Sequence, residues 1–188
     1  MSLRIRKAMR ADSAAIAKVH VESWRSTYAG LVPDRYLLDL STDIQTARWQ
    51  TIIAQARSGE CTLVAESPTG NGFEVVGFAS GGPSRKRGSP ARAEVYTLYV
   101  LDDFHNLGIG RALLTGLMRD LLARGHRDAF LWVVSENPAR FFYQAMGGQL
   151  TSRQQEPFAG VTLDEEAYVW PDLVSWLTEE ASDREKRA

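Results

Sequence analysis

One cysteine, Cys61, is present in 188 residues, so no internal disulfide can form. It has no partner at CxxC spacing, which excludes dithiol redox chemistry and a thiolate zinc site; it reads as a small apolar strand residue, not a nucleophile. Long apolar runs are also missing: none approaches the roughly 20 residues of a membrane helix. The opening residues Met1 to Arg6 alternate apolar and basic side chains and hold no signal core. Charge of one sign is absent too. Lys and Arg total 22 against 23 Asp and Glu, a formal net charge of −1, without the basic excess of a nucleic-acid binder. There is no internal repeat and no low-complexity linker. These absences lead us to expect a cytoplasmic protein with no structural metal and neither a membrane nor a nucleic acid as partner.

What is there suits one domain. Hydrophobic residues make up 44% and charged residues 24%, ordinary for a globular chain long enough to bury a core. We expect that domain over 1–181 and a charged, frayed tail over 182–188. Leu3 and Ile5 alternate with arginines as a short strand. Asp12 or Ser13 caps a helix carrying Ile16, Val19 and Trp24. Pro33 opens a helical turn reaching Leu38, and Thr42 with Gln45 forms a capping box for a helix to about Arg57. Cys61–Glu66 and Phe73–Ser80 read as a hairpin around the turn formers of 67–72, followed by a polar loop over 81–91. Glu94–Val100 is a strand. Leu113, Leu114, Leu117, Met118, Leu121 and Leu122 then stripe a helix that Gly125 ends. Phe130–Val134 is apolar throughout, as a strand buried on both faces is. Asn137 and Pro138 start a short helix that stops at Gly147-Gly148. Gln149–Gln155 and Glu166–Trp170 close the chain as paired strands. The order predicts a mixed α/β sheet with helices on both faces.

The chemistry concentrates where Tyr96-Thr97-Leu98-Tyr99-Val100 runs through a loop into Gly108-Ile109-Gly110-Arg111. The first N–H groups of a helix have no intrahelical partner, and the helix dipole puts partial positive charge there. Glycine removes the Cβ that would hold a phosphate away, and Arg111 adds a full charge. Residues 106 to 111 are therefore expected to receive a pyrophosphate. A P-loop is excluded because no Gly-Lys-Ser/Thr occurs. A dinucleotide fingerprint, and with it a nucleotide-dependent oxidoreductase, is disfavoured by Leu113 where Gly or Ala belongs.

From Glu94 to Arg111 the chain resembles the central motif of the GCN5-related N-acetyltransferase (GNAT) superfamily. That pattern is a strand ending Leu-Tyr-Val, a loop, and Gln/Arg-x-x-Gly-x-Gly/Ala at a helix start. Here it reads Leu98-Tyr99-Val100, then His105-Asn106-Leu107-Gly108-Ile109-Gly110. A second block is similar to the family's Asn-Pro-Ala helix start and Phe-Tyr-x-x-x-Gly ending: Leu131 to Ala139, then Phe142-Tyr143-Gln144-Ala145-Met146-Gly147. The resemblance implies a mostly antiparallel central sheet splayed in the middle, the acyl-coenzyme A N-acyltransferase fold. It implies acetyl-coenzyme A as donor and a primary amine as acceptor, joined by direct attack in a ternary complex. One position departs: His105 stands where the family has Gln or Arg, and it is either a loop histidine or a cofactor contact.

Such chemistry needs a neutral amine, a donor for the thioester oxygen as it becomes negative, and a proton for the leaving thiolate. By resemblance Tyr143 is the general acid at the sulfur, the alternative being a core tyrosine. Glu94 is where many members activate the amine through water, or else a solvated strand-start carboxylate. Leu98 and Val100 are expected to offer backbone groups to the cofactor, with Tyr99 between them, and Asn137 to cap its helix beside it. For the acceptor, Trp24, Tyr28, Arg85 and Phe158 are the candidate wall. The rival on the same fold is a non-catalytic acyl-coenzyme A sensing domain. A monomer and a homodimer both fit the sequence.

Overall fold

The computed structural model describes residues 3–56, 59–70 and 72–187. Among these described residues seven strands form one sheet: β1 (Arg4–Lys7), β2 (Cys61–Thr69), β3 (Gly72–Pro83), β4 (Ala93–Val100), β5 (Ala129–Val134), β6 (Gln149–Phe158) and β7 (Val161–Trp170). Their spatial order is β1-β2-β3-β4-β5-β7-β6. Every neighbouring pair is antiparallel except β4 and β5, which run parallel and touch only at Ala93↔Ala129 and Glu94↔Phe130. Past Glu94 the two strands separate, which is the expected splay.

Among the described residues six α-helices cover the sheet: α1 (Ser13–Thr27), α2 (Asp34–Leu38), α3 (Thr42–Ala54), α4 (Ile109–Ala123), α5 (Ala139–Ala145) and α6 (Leu173–Arg187). On one face Ile16, Ala17 and Val19 of α1 and Trp49 of α3 pack with Val64 and Phe78. On the other, α4 sets Leu113, Leu114, Leu117, Met118 and Leu121 at 0% exposure against the strands. Three-and-four spacing makes that stripe, and burying each such side chain contributes about 1.5–3 kcal/mol.

Several boundaries differ from the sequence expectation. Asp12 does not cap α1; its carboxylate accepts from the Met9 N–H at 2.7 Å and pairs with Arg6 at 2.7 Å. The cap of α3 is Ser41, one residue before the expected box, accepting from the Ile44 N–H at 3.4 Å. Gln45, assigned to that box, is buried with Oε1 unpaired. Arg57, the expected helix end, lies outside the described residues. The first hairpin is longer than expected because Ser67, Pro68 and Thr69 keep pairing with Glu74, Phe73 and Gly72, and β3 runs on because Gly82 and Pro83 pair with Glu94 and Ala93 of β4. β6 runs past the expected Gln155 to Phe158, and the turn that follows is Ala159-Gly160, both at positive φ. Residues 182 to 187, expected to fray, continue α6. That helix is capped by the Asp172 carboxylate, which accepts from the N–H groups of Val174 and Ser175 at 2.9 and 3.2 Å, and Trp176 packs it into the core beneath α4.

Candidate active site

The separation of β4 and β5 opens a cleft of about 830 Å³. Its wall includes Leu98, Tyr99 and Val100 of β4, Leu131 to Val134 of β5, the start of α4, and Phe142, Tyr143 and Met146 around α5. A bulge sets the side chains on β4: Ser80 pairs with Thr97 and Gly81 with Val95, so Tyr96 is the extra residue. The bulge returns Leu98 and Val100 to the α4 face, and both pack into that core.

The strand edge facing the cleft follows from the ladder. The Leu101 N–H donates to the Val76 carbonyl at 2.9 Å. With a two-residue period, Tyr99 shares that hydrogen-bonded phase and Leu98 and Val100 turn their backbone groups toward the opening. The Val100 carbonyl is not free, however: the His105 ring lies 2.9 Å from it, and the Ser23 hydroxyl donates to it at 3.5 Å. His105 thus ties the loop to the strand end.

The loop carries two residues at positive φ, Asn106 at 60° and Gly108 at 78°. Gly108 needs that freedom, and the space where its Cβ would stand is open to 4 Å. The first α4 bond runs from the Ala112 N–H to the Gly108 carbonyl at 3.0 Å, leaving the N–H groups of Ile109, Gly110 and Arg111 ahead of it. All three residues line the cleft, as do His105, Asn106 and Gly108, whereas Leu107 is exposed outside its wall. A strand edge that β5 leaves open, leading to an open helix N-terminus, fits an elongated ligand ending in phosphates. The Arg111 charge is shared: its guanidinium donates to both Glu180 oxygens of α6, at 2.9 and 3.2 Å.

Tyr143 is 7% exposed yet lines the cleft, and its hydroxyl has no hydrogen-bond partner among the described residues. Burial raises its pKa, so the phenol keeps its proton. Asn137 is buried, and its Oδ1 accepts from the Ala139 N–H at 2.9 Å, a cap for α5. Tyr28 stands close enough to both Asn137 and Tyr99 for its hydroxyl to feel them. Tyr99 accepts from the Trp24 indole N–H at 3.0 Å. The Trp24–Tyr99 bond joins α1 to β4, and Tyr28 and Asn137 line the same opening. Desolvation, first among the causes, raises the pKa of both Tyr28 and Tyr99.

Of the expected acceptor wall, Trp24, Tyr28 and Phe158 come together. Ring centroids are 4.5 Å apart for Trp24–Tyr28 and 5.6 Å for Trp24–Phe158. Tyr36 of α2, which the sequence reading did not single out, packs tilted against Trp24 and edge-on against Phe158. Only Tyr28 of these reaches the cleft wall. Arg85 lies apart from them, its guanidinium over the Tyr96 ring and bonded to Glu94. Glu94 is buried, its carboxylate accepts from the Arg85 backbone N–H, Nε and Nη2, and it is not among the residues lining the cleft. Glu165 of β7, also absent from the sequence reading, does line the cleft. Among the described residues no cluster of three His, Cys, Asp or Glu side chains could hold a metal ion, and no helix is long and apolar enough to cross a membrane.

A mixed sheet parted between two parallel strands, with a helix N-terminus at the parting, is the architecture of an acyltransferase. The chain belongs to the acetyltransferase (GNAT) family, whose model matches residues 21–147. It is 37% identical over 174 residues, 93% of this chain and 96% of the relative, to the Bacillus subtilis (strain 168) protein named "Uncharacterized N-acetyltransferase YuaI". It is 29% identical to the Mycobacterium tuberculosis (strain ATCC 25618 / H37Rv) protein named "Probable N-acetyltransferase Rv2775", over 89% of this chain and 92% of that one. Among solved structures, YncA of Salmonella typhimurium with its cofactor acetyl-CoA superposes with a TM-score of 0.67 at 25% identity, covering 92% of this chain and 95% of that chain. The PaiA N-acetyltransferase of Thermoplasma acidophilum, in complex with coenzyme A, shares the fold with a TM-score of 0.60 at 22% identity, covering 88% and 98%.

Proposed function

We propose that this chain transfers the acetyl group of acetyl-coenzyme A to a primary amine within a ternary complex. The observation that carries the reading is the continuity of the cleft. It runs from the β4 edge at Leu98 and Val100, which β5 leaves open, to the N–H groups at Ile109, Gly110 and Arg111. When bound, the donor supplies an activated acetyl thioester. The chain's own part is to hold it, exclude water and move protons. The α4 N-terminus and Gly108 receive the diphosphate; the β4 edge receives the pantetheine amides as an added strand would.

Tyr143 donates a proton at the thiol end. Its unpartnered hydroxyl and its raised pKa both favour a protonated donor there. Glu94 takes part from outside the cleft lining: with Arg85 on its carboxylate, it reaches the acceptor through water. Tyr28 and Asn137 face the cleft from its two halves and line the acceptor side.

Calorimetric titration with acetyl-coenzyme A, followed by thiol release on adding primary amines, tests this reading. Binding with amine-dependent release supports it. Binding without release to any amine would leave the sensing domain as the better description, and no binding would overturn the reading.

A further inference from the structure

We infer that Glu165 binds the ammonium group of the acceptor, and that the acceptor is a primary amine on an apolar aryl or alkyl body without a carboxylate. The inference rests on the acetyl-transfer reading above and names the acceptor class for the same cleft.

The argument starts from strand register. β7 pairs with β5 without a break from Ala129↔Trp170 to Val134↔Glu165. With side chains alternating, Glu166, Tyr168 and Trp170 share one face, and Tyr168 and Trp170 lie in the core against α4. Leu163, Glu165, Ala167 and Val169 take the opposite face. There Leu163 packs on the aromatic group of Trp24, Tyr28, Tyr36 and Phe158, while Val169 packs with Phe130 beside Trp132. Glu165 stands on the sheet between these two apolar groups, half-buried and on the cleft wall together with Tyr28 and Trp132.

Its carboxylate is not neutralised by an ion pair within 4 Å among the described residues. It accepts a neutral hydrogen bond from Gln154 Nε2, at 2.8 Å. Arg85 feels its charge but is committed to Glu94 through three hydrogen bonds. Glu166, one residue on, differs in kind: it is met by Arg153 at 3.1 Å and by the Tyr168 hydroxyl at 2.9 Å. A half-buried anion between aromatic surfaces complements an ammonium group on an apolar body, through charge-assisted hydrogen bonding and attraction to ring faces. A carboxylate carried on the acceptor would instead meet Glu165 as a like charge.

The test uses two amines that differ by one carboxylate, 2-phenylethylamine and phenylalanine, with the parent protein, Glu165→Gln and Glu165→Asp. The parent acetylates 2-phenylethylamine and discriminates against phenylalanine. Glu165→Gln raises the KM for 2-phenylethylamine by about 30-fold or more, the size expected when one partner of a desolvated charge pair is removed, and leaves acetyl-coenzyme A affinity and the melting temperature unchanged. Glu165→Asp restores part of the lost KM. An unchanged KM in Glu165→Gln would remove Glu165 from recognition. Phenylalanine used as well as 2-phenylethylamine, or neither amine used while acetyl-coenzyme A still binds, would overturn the acceptor class. Failure of acetyl-coenzyme A to bind would instead bring down the underlying reading, so the two failures are distinguishable.

Discussion

Arg85 closes on Glu94 from two sides of its own backbone: the peptide N–H donates to Oε2 at 3.0 Å while Nε donates to Oε1 at 3.1 Å. The carboxylate side chain is 6% exposed and the guanidinium 59% exposed. The partnership therefore anchors the loop after β3 to the strand that opens the cleft.

Two substitutions separate these duties. Arg85→Met removes the side-chain donors but keeps the backbone bond. It should lower stability by about 1.5–3 kcal/mol, the range for hydrogen bonds to a charged group. Glu94→Gln should leave acetyl-coenzyme A affinity intact and flatten the alkaline rise of acetyl transfer, because a proton acceptor matters most where the amine is still protonated. A pH–rate profile superimposable on the parent's would make Glu94 a purely structural anchor.

At the other end of the cleft, Gly108→Val meets two obstacles. Its backbone sits at φ 78°, where a branched side chain is strained, and the new side chain would project into the open space in front of the α4 N–H groups. We expect acetyl-coenzyme A affinity to fall by more than tenfold, a loss of over ~1.4 kcal/mol. Gly110→Val should also weaken binding, since its Cβ would stand 3.4 Å from the Phe142 ring and a branched side chain must displace that wall. Unchanged calorimetric affinity in both variants would contradict the phosphate assignment.

The core carries its own pH signature. The His20 ring accepts from the Trp49 indole N–H at 3.2 Å and is 9% exposed. Burial, helped by the positive charge of Arg48, holds its pKa down at about 4 against an ordinary 6.5. The folded protein thus keeps the ring neutral where the unfolded chain would protonate it. The stabilisation is complete above pH 6.5 and is lost as the pH falls from there toward 4, by up to about 1.4 kcal/mol per pH unit. Urea midpoints measured between pH 7 and pH 5.5 should drop more steeply for the parent than for His20→Asn, whose amide oxygen can accept the same indole bond without titrating. Parallel slopes would remove His20 as the cause.

Local patterns made part of this molecule legible. The stripe on α4, the Leu98-Tyr99-Val100 strand end and the glycine-bearing turn are short-range signals, and each lies where the spacing puts it. α6 was missed although Asp172 caps it, because its exposed, charged end resembled a fraying tail and its docking depends on Trp176 meeting a distant core. Glu165 had no motif around it: only the register of β7 against β5 brings it to the cleft. The Tyr96 bulge and the Arg85–Glu94 closure are equally non-local. Trp24, Tyr28 and Phe158 could be named one by one, but that Trp24 and Phe158 form a packed cluster with Tyr36 behind Tyr28 follows from folding, not from spacing.

The central claim is acetyl transfer with Tyr143 as the proton donor to the leaving thiol. Tyr143→Phe keeps the ring that packs near Phe142 and Trp170 and deletes a hydroxyl with no partner among the described residues. The account predicts that kcat for acetyl transfer falls by about 10²–10⁴-fold, while Tm and acetyl-coenzyme A affinity stay at parental values. A kcat close to the parent's, or a large fall in Tm with turnover per folded molecule preserved, would contradict it.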